Sequence, residues 1–478
     1  MNYWEIGPCV TVGKEHRNLY LDLEYHTCIC ALEVLPRAVI VIAHFCSLAI
    51  SLKRTTFLTK LSLRIKLSLK ILFRLRWSYL NVAGPHEMFL AVSFAVLQAF
   101  ASGNQVTLGN PHDNKINAGA TNFTKLFSSD LFAETGGKAS WNGLTTFAAS
   151  TPLRCFGADA DEPYDVAVLG APFDTATSYR PGARFGPNGI RQGGRRLGVG
   201  RINVPMKVKV SDYLNVVDCG DVPMVFVDNK VALRQLELSN AALLSKTGAK
   251  SYAGKSLAKD GKFHPRVLTL GGDHTITLPL LRGVAGVYGP VSVIHFDSHI
   301  DTWKPRSMVD DSPWLPGEEI PVTHGSYFYY AYQEGLLAPN NSNIHVGIRG
   351  ALSSWDDYEN DYEVGFVISH AWDIEEVGWK GIVKQIRDTV GDNPVYITLD
   401  IDVIDPGMAP ATGTPEIGGF STREIKKILQ GLAGLKIVGA DIVEVAPGYD
   451  TQDEITQIAA ANIGWEILGL MAKAPLVV

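Results

Sequence analysis

The sequence predicts an α/β fold, a three-layer α/β/α sandwich around a mostly parallel sheet. Short apolar runs that end in Gly, Pro or Asp predict buried strands, and they are residues 165–172, 266–272, 291–297, 343–348, 395–400 and 437–443. Helix-like stretches lie between or after them, at residues 231–244, 382–389, 422–432 and 454–470. Continuous apolar strands that alternate with helices indicate a parallel sheet with both faces covered.

Length and composition limit the classes of protein that fit. The 478 residues are enough for one large α/β domain with extensions, or for two ordinary domains. A hydrophobic content of 46% and a charged content of 19% are typical of a globular protein with a substantial core. The net charge of −6 argues against a nucleic-acid partner, because phosphate neutralisation requires a basic surface.

The first hundred residues contain two apolar segments. Residues 38–52 are short for a membrane span, which needs roughly 20 residues, and only basic charges follow them as far as Arg76. Residues 88–101 end in Ala-Phe-Ala, the small-x-small pattern of a secretory cleavage site. We hypothesise that translation starts at Met88, so that residues 1–87 are a doubtful extension and 88–101 a signal peptide. The alternatives are a short buried helix, or a membrane anchor or organelle-targeting segment.

Compartment and boundaries follow from this hypothesis. Residues 102–160, rich in Gly, Asn, Ser and Thr, form an N-terminal arm, and 161–478 form the main domain. If Met88 is the true start, the product enters the secretory pathway, and the sequons at Asn122 and Asn340 are compatible with that. Cys155 and Cys219 then form one disulfide or remain two buried thiols. A membrane-anchored, mitochondrial or cytoplasmic protein is the alternative.

Acidic and histidine residues follow three of the predicted strands, where ligands bind in open parallel sheets. Strand 266–270 runs into Gly271-Gly-Asp-His274. Strand 291–296 runs into Asp297-Ser-His299-Ile-Asp301, and a spacing of two along an extended chain places these three side chains on one side. Considered alone, a histidine at a turn is an ordinary hydrogen-bonding residue, and the second cluster could be a polar loop with a helix cap.

The third cluster changes this interpretation. Strand 395–399 runs into Asp400-Ile-Asp402, whose two carboxylates share a face. The three strand ends together offer four carboxylates and two imidazoles, which would repel and lose hydration without a cation. This set is too large for one structural zinc and too rich in oxygen for a thiol site. It fits two Mn²⁺ ions that share carboxylates and lower the pKa of a common water molecule.

The three motifs, in this order, resemble those of the arginase–agmatinase (ureohydrolase) family over residues 160–475, and imply its arginase/deacetylase-like fold. The resemblance implies the ligands of two manganese ions per subunit: His274, Asp297, Asp301 and Asp400 for one, and His299, Asp402 and the bridging Asp297 and Asp400 for the other. Residues 161–478 are then the catalytic domain, and segments 182–191 and 412–419 resemble two further loops of the family. Ser298 stands where the family usually has alanine, and strand alternation predicts that it points away from the metals.

The resemblance also implies catalytic roles. His324 matches the histidine that shuttles protons as a neutral imidazole, and Glu444 matches the glutamate that binds the guanidinium. Asp301 would pass a proton to the departing amine. Without the resemblance, His324 reads as a loop residue and Glu444 as a structural ion-pair partner.

The reaction that the resemblance implies is hydrolysis of a guanidinium to urea and an amine, with agmatine and putrescine as the favoured pair. Residues 302–308 lack the asparagine expected for an arginase. Lys304 and Arg306 could instead pair with a carboxylate tail, which makes 4-guanidinobutyrate the close alternative. A non-catalytic homologue that binds polyamine or a partner protein is an alternative of another class, and a one-zinc deacetylase is disfavoured. The family further implies a homo-oligomer, a trimer or hexamer.

Overall fold

In this computed structural model, residues 144–305 and 320–478 are described, and the elements below belong to that part of the chain. The strands are β1 (Thr151–Pro152), β2 (Val166–Ala171), β3 (Ile202–Asn203), β4 (Val208–Lys209), β5 (Val216–Asp221), β6 (Arg266–Gly271), β7 (Ser292–Phe296), β8 (Asn343–Ile348), β9 (Phe366–His370), β10 (Pro394–Asp400) and β11 (Lys436–Val443). The α-helices are α1 (Gly186–Gly193), α2 (Asn229–Leu244), α3 (Thr277–Tyr288), α4 (Tyr327–Gln333), α5 (Asp356–Val364), α6 (Asp373–Val390), α7 (Thr422–Gly431) and α8 (Ile455–Lys473).

One sheet organises the described residues. Its nine strands follow the order β1-β5-β2-β6-β11-β10-β7-β8-β9, and every neighbouring pair is parallel. Strands β3 and β4 form a separate antiparallel pair. The order places β6, β11, β10 and β7 side by side at the centre, although they are far apart in the sequence. Their carboxyl ends therefore meet at one edge, where the predicted ligands follow.

Both faces of the sheet are covered, because the central strands are apolar on both sides. Val166 and Val168 of β2 belong to one hydrophobic core, while Ala167 and Leu169 belong to the other. Residues from α1, α6, α7 and α8 line the first core, and residues from α2, α3, α4 and α5 line the second. The predicted three-layer α/β/α sandwich is confirmed, and the main sheet is wholly parallel within the described residues.

The predicted strands and helices all form, but the pattern missed others. Strand β5 was not predicted, because its polar end, Asp218-Cys-Gly-Asp221, resembles a turn. Helix α3 was not predicted either, because Pro279, Gly283 and Gly286 interrupt its sequence and are unfavourable helix residues. Helix α6 begins at Asp373, nine residues before the predicted start, with a non-helical Gly378 inside it.

Two features tie residues 147–155 to the sheet. Cys155 and Cys219 form a disulfide, with their Cα atoms 5.4 Å apart, which decides between the two alternatives for these cysteines. The carboxylate of Asp218 accepts hydrogen bonds from the backbone N–H of Phe147, at 2.8 Å, and from two nitrogens of Arg191, both at 2.9 Å. The segment that precedes β2 is therefore held both covalently and by buried charge.

Several sequence predictions fall outside the described residues. They are the extension 1–87, the signal peptide 88–101, most of the arm 102–160, the sequon at Asn122, and Arg306. In the described chain, α8 is the helix long and apolar enough to cross a membrane, and 67% of its apolar window is buried inside the protein. Packing against the sheet therefore accounts for its composition.

Candidate metal centre

His274 enters the site through a tight exit from β6. Gly272 passes so close to Phe173 that an added Cβ would lie 1.9 Å from the Phe173 carbonyl oxygen. The chain then turns into the short helix His274–Ile276, which the Asp273 side chain caps by accepting the N–H of Thr275 at 2.9 Å. This turn buries the His274 ring completely and directs it over the sheet edge.

The two ring nitrogens of His274 have different surroundings. Nε2 lies 2.7 Å from the Thr398 hydroxyl oxygen, and that hydroxyl donates to Asp441. Nδ1 lies 3.0 Å from Asp297 Oδ2 and 3.3 Å from Asp301 Oδ2, yet it is buried and makes no hydrogen bond. A buried nitrogen without a hydrogen bond, among carboxylate oxygens, is the arrangement expected of a metal ligand.

A second group of ligand atoms shares one residue with the first. His299 Nδ1 lies 3.3 Å from Asp297 Oδ1 and 3.1 Å from Asp402 Oδ2. Asp297 thus sends Oδ2 to the first group and Oδ1 to the second, as a bridging ligand of two ions does. Asp400 Oδ2 lies 3.5 Å from His274 Nδ1, so it also belongs to the first group. The structure brings all six predicted ligands together.

They do not converge through strand alternation, which is a correction to the sequence interpretation. Strand β7 ends at Phe296, and Asp301 has a φ of 55°, in the left-handed region. Asp400 ends β10 and caps the short helix Ile401–Val403, accepting the N–H of Asp402 at 2.8 Å. Turns, rather than extended chain, therefore aim these carboxylates inward.

The same turn overturns the expectation for Ser298. Its hydroxyl lies 3.1 Å from His299 Nδ1, and its N–H donates to Asp402 Oδ1 at 3.0 Å. Because the strand has already ended, alternation no longer directs this side chain. Ser298 therefore contacts two of the predicted ligands instead of pointing away from them.

The buried carboxylates in this site lie so close together that their negative charges favour a bound cation. Burial and the neighbouring Asp297 raise the pKa of Asp301, and burial with Asp402 raises that of Asp400, both well above the usual range. Burial opposes a charge on His274, but the contacts with Asp297 and Asp400 outweigh it and raise the pKa of His274 well above its usual value. Divalent cations would relieve this crowding, so the donor set fits the predicted metal pair.

Glu444 follows β11 and lies beside the ligands. Its φ is 61°, and its N–H donates to the Gly272 carbonyl oxygen at 2.9 Å. Oε1 accepts the N–H of His274 at 2.9 Å, whereas Oε2 is buried without any hydrogen-bond partner. A Cβ added at Gly413 would lie 3.5 Å from Oε2, so the glycine keeps the space beside that oxygen open.

His324 contacts Glu444 on one side and Ser178 on the other. Nδ1 lies 3.4 Å from Glu444 Oε1, while Nε2 lies 2.9 Å from the Ser178 hydroxyl and 3.0 Å from its backbone N. Burial disfavours a charged ring, but Glu444, Asp301 and Asp273 outweigh it and raise the pKa to about 9. The neutral imidazole stays a prediction, and the Ser178 backbone N–H, which donates to Nε2, is a partner for that form of the ring.

Comparison with known proteins decides the family. Residues 164–469 match the model of the arginase family. The chain is 48% identical over 395 residues to a Schizosaccharomyces pombe protein that carries a provisional agmatinase name, covering 81% of this chain and 97% of that relative. The chain belongs to the arginase family. An agmatinase of Citrobacter koseri is 37% identical over 366 residues, covering 77% of this chain and 98% of its own.

The solved structures agree with the family fold. Proclavaminate amidino hydrolase from Streptomyces clavuligerus superimposes with a TM-score of 0.57 at 34% identity, covering 70% of this chain and 99% of that one. The expected arginase-like architecture is thereby confirmed.

A cavity of about 340 Å³ opens from the candidate metal centre of this arginase-family chain. It is lined by Ser178, His299, Asp301, Trp303, His324, Gly325, Ser353, Asp357, Asp400 and Thr414. None of these described lining residues is Lys or Arg, and Lys304 is exposed but does not line the cavity. Asp357 and Ser353, at the start of α5, contribute acidic and polar groups.

Sequence reasoning missed several groups that hold the ligands. His295 Nε2 lies 2.8 Å from Asp297 Oδ2, and its position two residues before Asp297 on a strand could have indicated it. Thr398 on β10 and Asp441 on β11 orient His274, but no spacing in the sequence connects these two residues with a histidine that follows β6. Asp273 was visible beside His274; its pKa is raised to about 7, first by burial and then by Glu444.

Proposed function

We propose that this arginase-family chain is a manganese-dependent agmatinase, which hydrolyses agmatine to urea and putrescine with two Mn²⁺ ions per subunit. One observation carries the proposal: six ligand side chains, five of them buried and His299 partly buried, converge on one site, and Glu444, whose Oε2 has no hydrogen-bond partner, contacts the His274 backbone there. The agmatinase names of relatives at 37–48% identity support the choice of substrate.

The ligand atoms fall into two groups with a shared carboxylate. His274 and Asp301 would hold one ion and His299 and Asp402 the other, while Asp297 and Asp400 would contact both. When bound, such a pair of ions lowers the pKa of a water molecule, so that hydroxide is available as the nucleophile at neutral pH. The protein holds the ligands in place by turns and by hydrogen bonds to their backbone.

Glu444 would bind and orient the guanidinium. Its Oε1 is already held by the His274 N–H, so the carboxylate cannot rotate away, and Oε2 remains open to an N–H donor. A planar cation with several donors suits a fixed carboxylate, because parallel hydrogen bonds define its orientation. The guanidinium carbon would thereby face the metal site.

Proton movement falls to Asp301 and His324. Asp301 lies in the first ligand group and lines the cavity, so its carboxylate can hold a proton close to the departing amine. His324 Nδ1 faces Glu444, and Nε2 faces Ser178 at the cavity wall. A cationic substrate beside Glu444 compensates the charge that raises the His324 pKa, and so favours release of the ring proton.

The cavity chemistry favours agmatine over 4-guanidinobutyrate. Asp357 lines the cavity and could pair with an ammonium tail, whereas the described lining offers no Lys or Arg for a carboxylate tail. A non-catalytic polyamine-binding role fits less well, because all six ligand positions are filled.

A urea-release assay on the purified full chain with Mn²⁺ tests the proposal, comparing agmatine, arginine and 4-guanidinobutyrate. We expect turnover of agmatine, and loss of both turnover and bound metal in Asp400→Asn. Activity on 4-guanidinobutyrate alone would contradict the assignment of agmatine as the substrate. Near-normal turnover by Asp400→Asn, or metal-free wild-type protein after loading, would overturn the site.

We further propose passage through the secretory pathway, which the Cys155–Cys219 disulfide and the cleavage-like segment 88–101 support. Asn340 is exposed in the turn before β8 and carries a sequon, so it can accept a glycan. Endoglycosidase treatment of the native protein should lower its apparent mass, and Ser342→Ala should abolish the part of that shift due to Asn340. A native N-terminus near residue 10 would contradict cleavage after Ala101.

The family resemblance supports a homo-oligomer of closed symmetry, a trimer or hexamer. Light scattering of the purified protein tests this proposal directly, and a monomeric mass would overturn it.

A further inference from the structure

A buried chain of polar side chains leads away from the metal site into the sheet. It starts at Asp297 and passes through His295 on β7 and His345 on β8 to Asp361 on α5. The contacts are 2.8 Å from Asp297 Oδ2 to His295 Nε2, 2.6 Å between the two Nδ1 atoms, and 2.9 Å from His345 Nε2 to Asp361 Oδ1. At most 1% of each of these four residues is exposed.

The two histidines occupy a position that packing alone would fill with apolar residues. They face each other across β7 and β8, and their rings contact the buried rings of Phe328 and Phe366. Burying imidazoles and a carboxylate there is unfavourable unless every polar group has a partner. Each ring nitrogen in the chain has one, which indicates that the arrangement serves the residue at its end.

Hydrogen-bond directions propagate along the chain. His295 donates Nε2–H to the carboxylate of Asp297, so a neutral His295 accepts a hydrogen bond at Nδ1. His345 must therefore donate at its own Nδ1. On its other side, His345 Nε2 contacts Asp361 Oδ1, so Asp361 holds the His345 ring in this orientation. The contact with His345 Nδ1 therefore supports the tautomer of His295 that donates to Asp297.

Asp361 also connects to the loop that carries another ligand. Its Oδ1 accepts the Thr302 hydroxyl at 2.7 Å, and the neighbouring Asn360 donates to the Thr302 carbonyl oxygen at 2.7 Å. Thr302 directly follows Asp301. Helix α5 therefore holds the ligand segment at both ends, through His295 at Asp297 and through Thr302 at Asp301.

We propose that His345 and Asp361 are positioning residues, which hold His295 against Asp297 and thereby fix the carboxylate that both metal positions share. The inference rests on the proposed metal centre. Hydrogen-bond partners behind a metal ligand fix its orientation, and their loss commonly weakens metal affinity by about 10- to 100-fold.

The test is the Mn²⁺ dissociation constant of the metal-stripped full chain, measured by electron paramagnetic resonance of the free ion. His345→Phe keeps a ring of similar size but removes both hydrogen bonds, and we expect binding to weaken by about 10- to 100-fold. Phe366→Leu is the matched control. It removes the ring stacked on His345 at 4.0 Å, and so loosens the same core without changing the polar chain.

The outcomes separate the two proposals. Wild-type protein that binds no Mn²⁺ overturns the proposed function, whereas equal affinities in wild type and His345→Phe overturn only this inference. An equal loss in Phe366→Leu also overturns it, because loosened packing would then explain the effect. If His345→Phe does not fold, His345→Gln decides: one amide cannot serve both His295 and Asp361, so affinity should fall, and wild-type affinity overturns the inference.

Discussion

His324 Nδ1 lies 3.4 Å from Glu444 Oε1, so the group proposed to move protons touches the group proposed to bind the substrate. The Glu444 carboxylate therefore influences the charge state of His324. Glu444 raises the pKa of His324. His324 contacts Oε1 of this carboxylate, whereas Oε2 has no hydrogen-bond partner. If the proposed roles hold, this one contact couples substrate binding to proton release.

This contact predicts how the stability of the metal-stripped protein depends on pH. A histidine whose folded-state pKa is raised stabilises the fold below its unfolded pKa, and loses that effect as pH rises through the folded value. For His324 the window runs from 6.5 to about 9. We expect the unfolding free energy to fall across it by on the order of 3 kcal/mol more in wild type than in His324→Asn. Urea denaturation at several pH values measures this difference, and parallel curves for the two proteins would contradict it.

Glu444→Gln keeps the shape of the side chain and an oxygen for the His274 N–H, but removes the charge. We expect kcat/KM for agmatine to fall by about 100-fold, because the charge-assisted bond to the guanidinium is lost. Bound manganese should stay at the wild-type level, since Glu444 is not among the proposed ligands. Loss of metal from this variant would show that Glu444 belongs to the metal site instead.

Asp357→Asn tests recognition of the substrate tail. The amide oxygen can still accept the N–H groups of Ser353 and Ser354, so the start of α5 is kept. We expect kcat/KM for agmatine to fall by about tenfold, with a smaller change for 4-guanidinobutyrate, because only the ammonium tail loses a charged partner. Asp356→Asn, on the neighbouring exposed acid that does not line the cavity, is the control. Equal effects of the two variants on agmatine would contradict this role.

The disulfide closes a loop of 64 residues between Cys155 and Cys219. A cross-link over such a span restricts the unfolded chain, so its reduction should lower the unfolding free energy by about 2–4 kcal/mol. Thermal unfolding with and without reductant measures the change. The double variant Cys155→Ala, Cys219→Ala should be less stable than wild type and unaffected by reductant, and an unaltered wild type under reductant would argue against the bond.

The fold could be predicted because its strands are buried on both faces and appear as continuous apolar runs. Strand β5 lacks that signature, since Asp218 and Asp221 serve the ion cluster around Arg191. In the site, the ligands were visible because they follow apolar strands directly. His345 and Asp361 were not, because their partner lies on another strand and only the sheet order brings them together.

The direction in which each predicted ligand side chain points was the least predictable feature of the site. Strand alternation predicted that Asp297, His299 and Asp301 share one side. The three side chains do come together, but strand β7 ends at Phe296, so alternation is not the cause. The prediction that Ser298 points away from the ligands was wrong for the same reason. A rule based on extended chain fails where a backbone turns, and the turn depends on contacts with distant residues.

Asp301 and Glu444 both have left-handed backbone, with φ values of 55° and 61°, where glycine would be relaxed and a longer side chain is strained. Two carboxylates with proposed roles in the reaction thus occupy positions that conformational preference alone would give to glycine. Selection for heat resistance alone would accordingly favour glycine at residues 301 and 444, and the resulting proteins should be inactive. Thermal tolerance and turnover are therefore opposing traits here, and a library screened only for solubility should reveal the conflict.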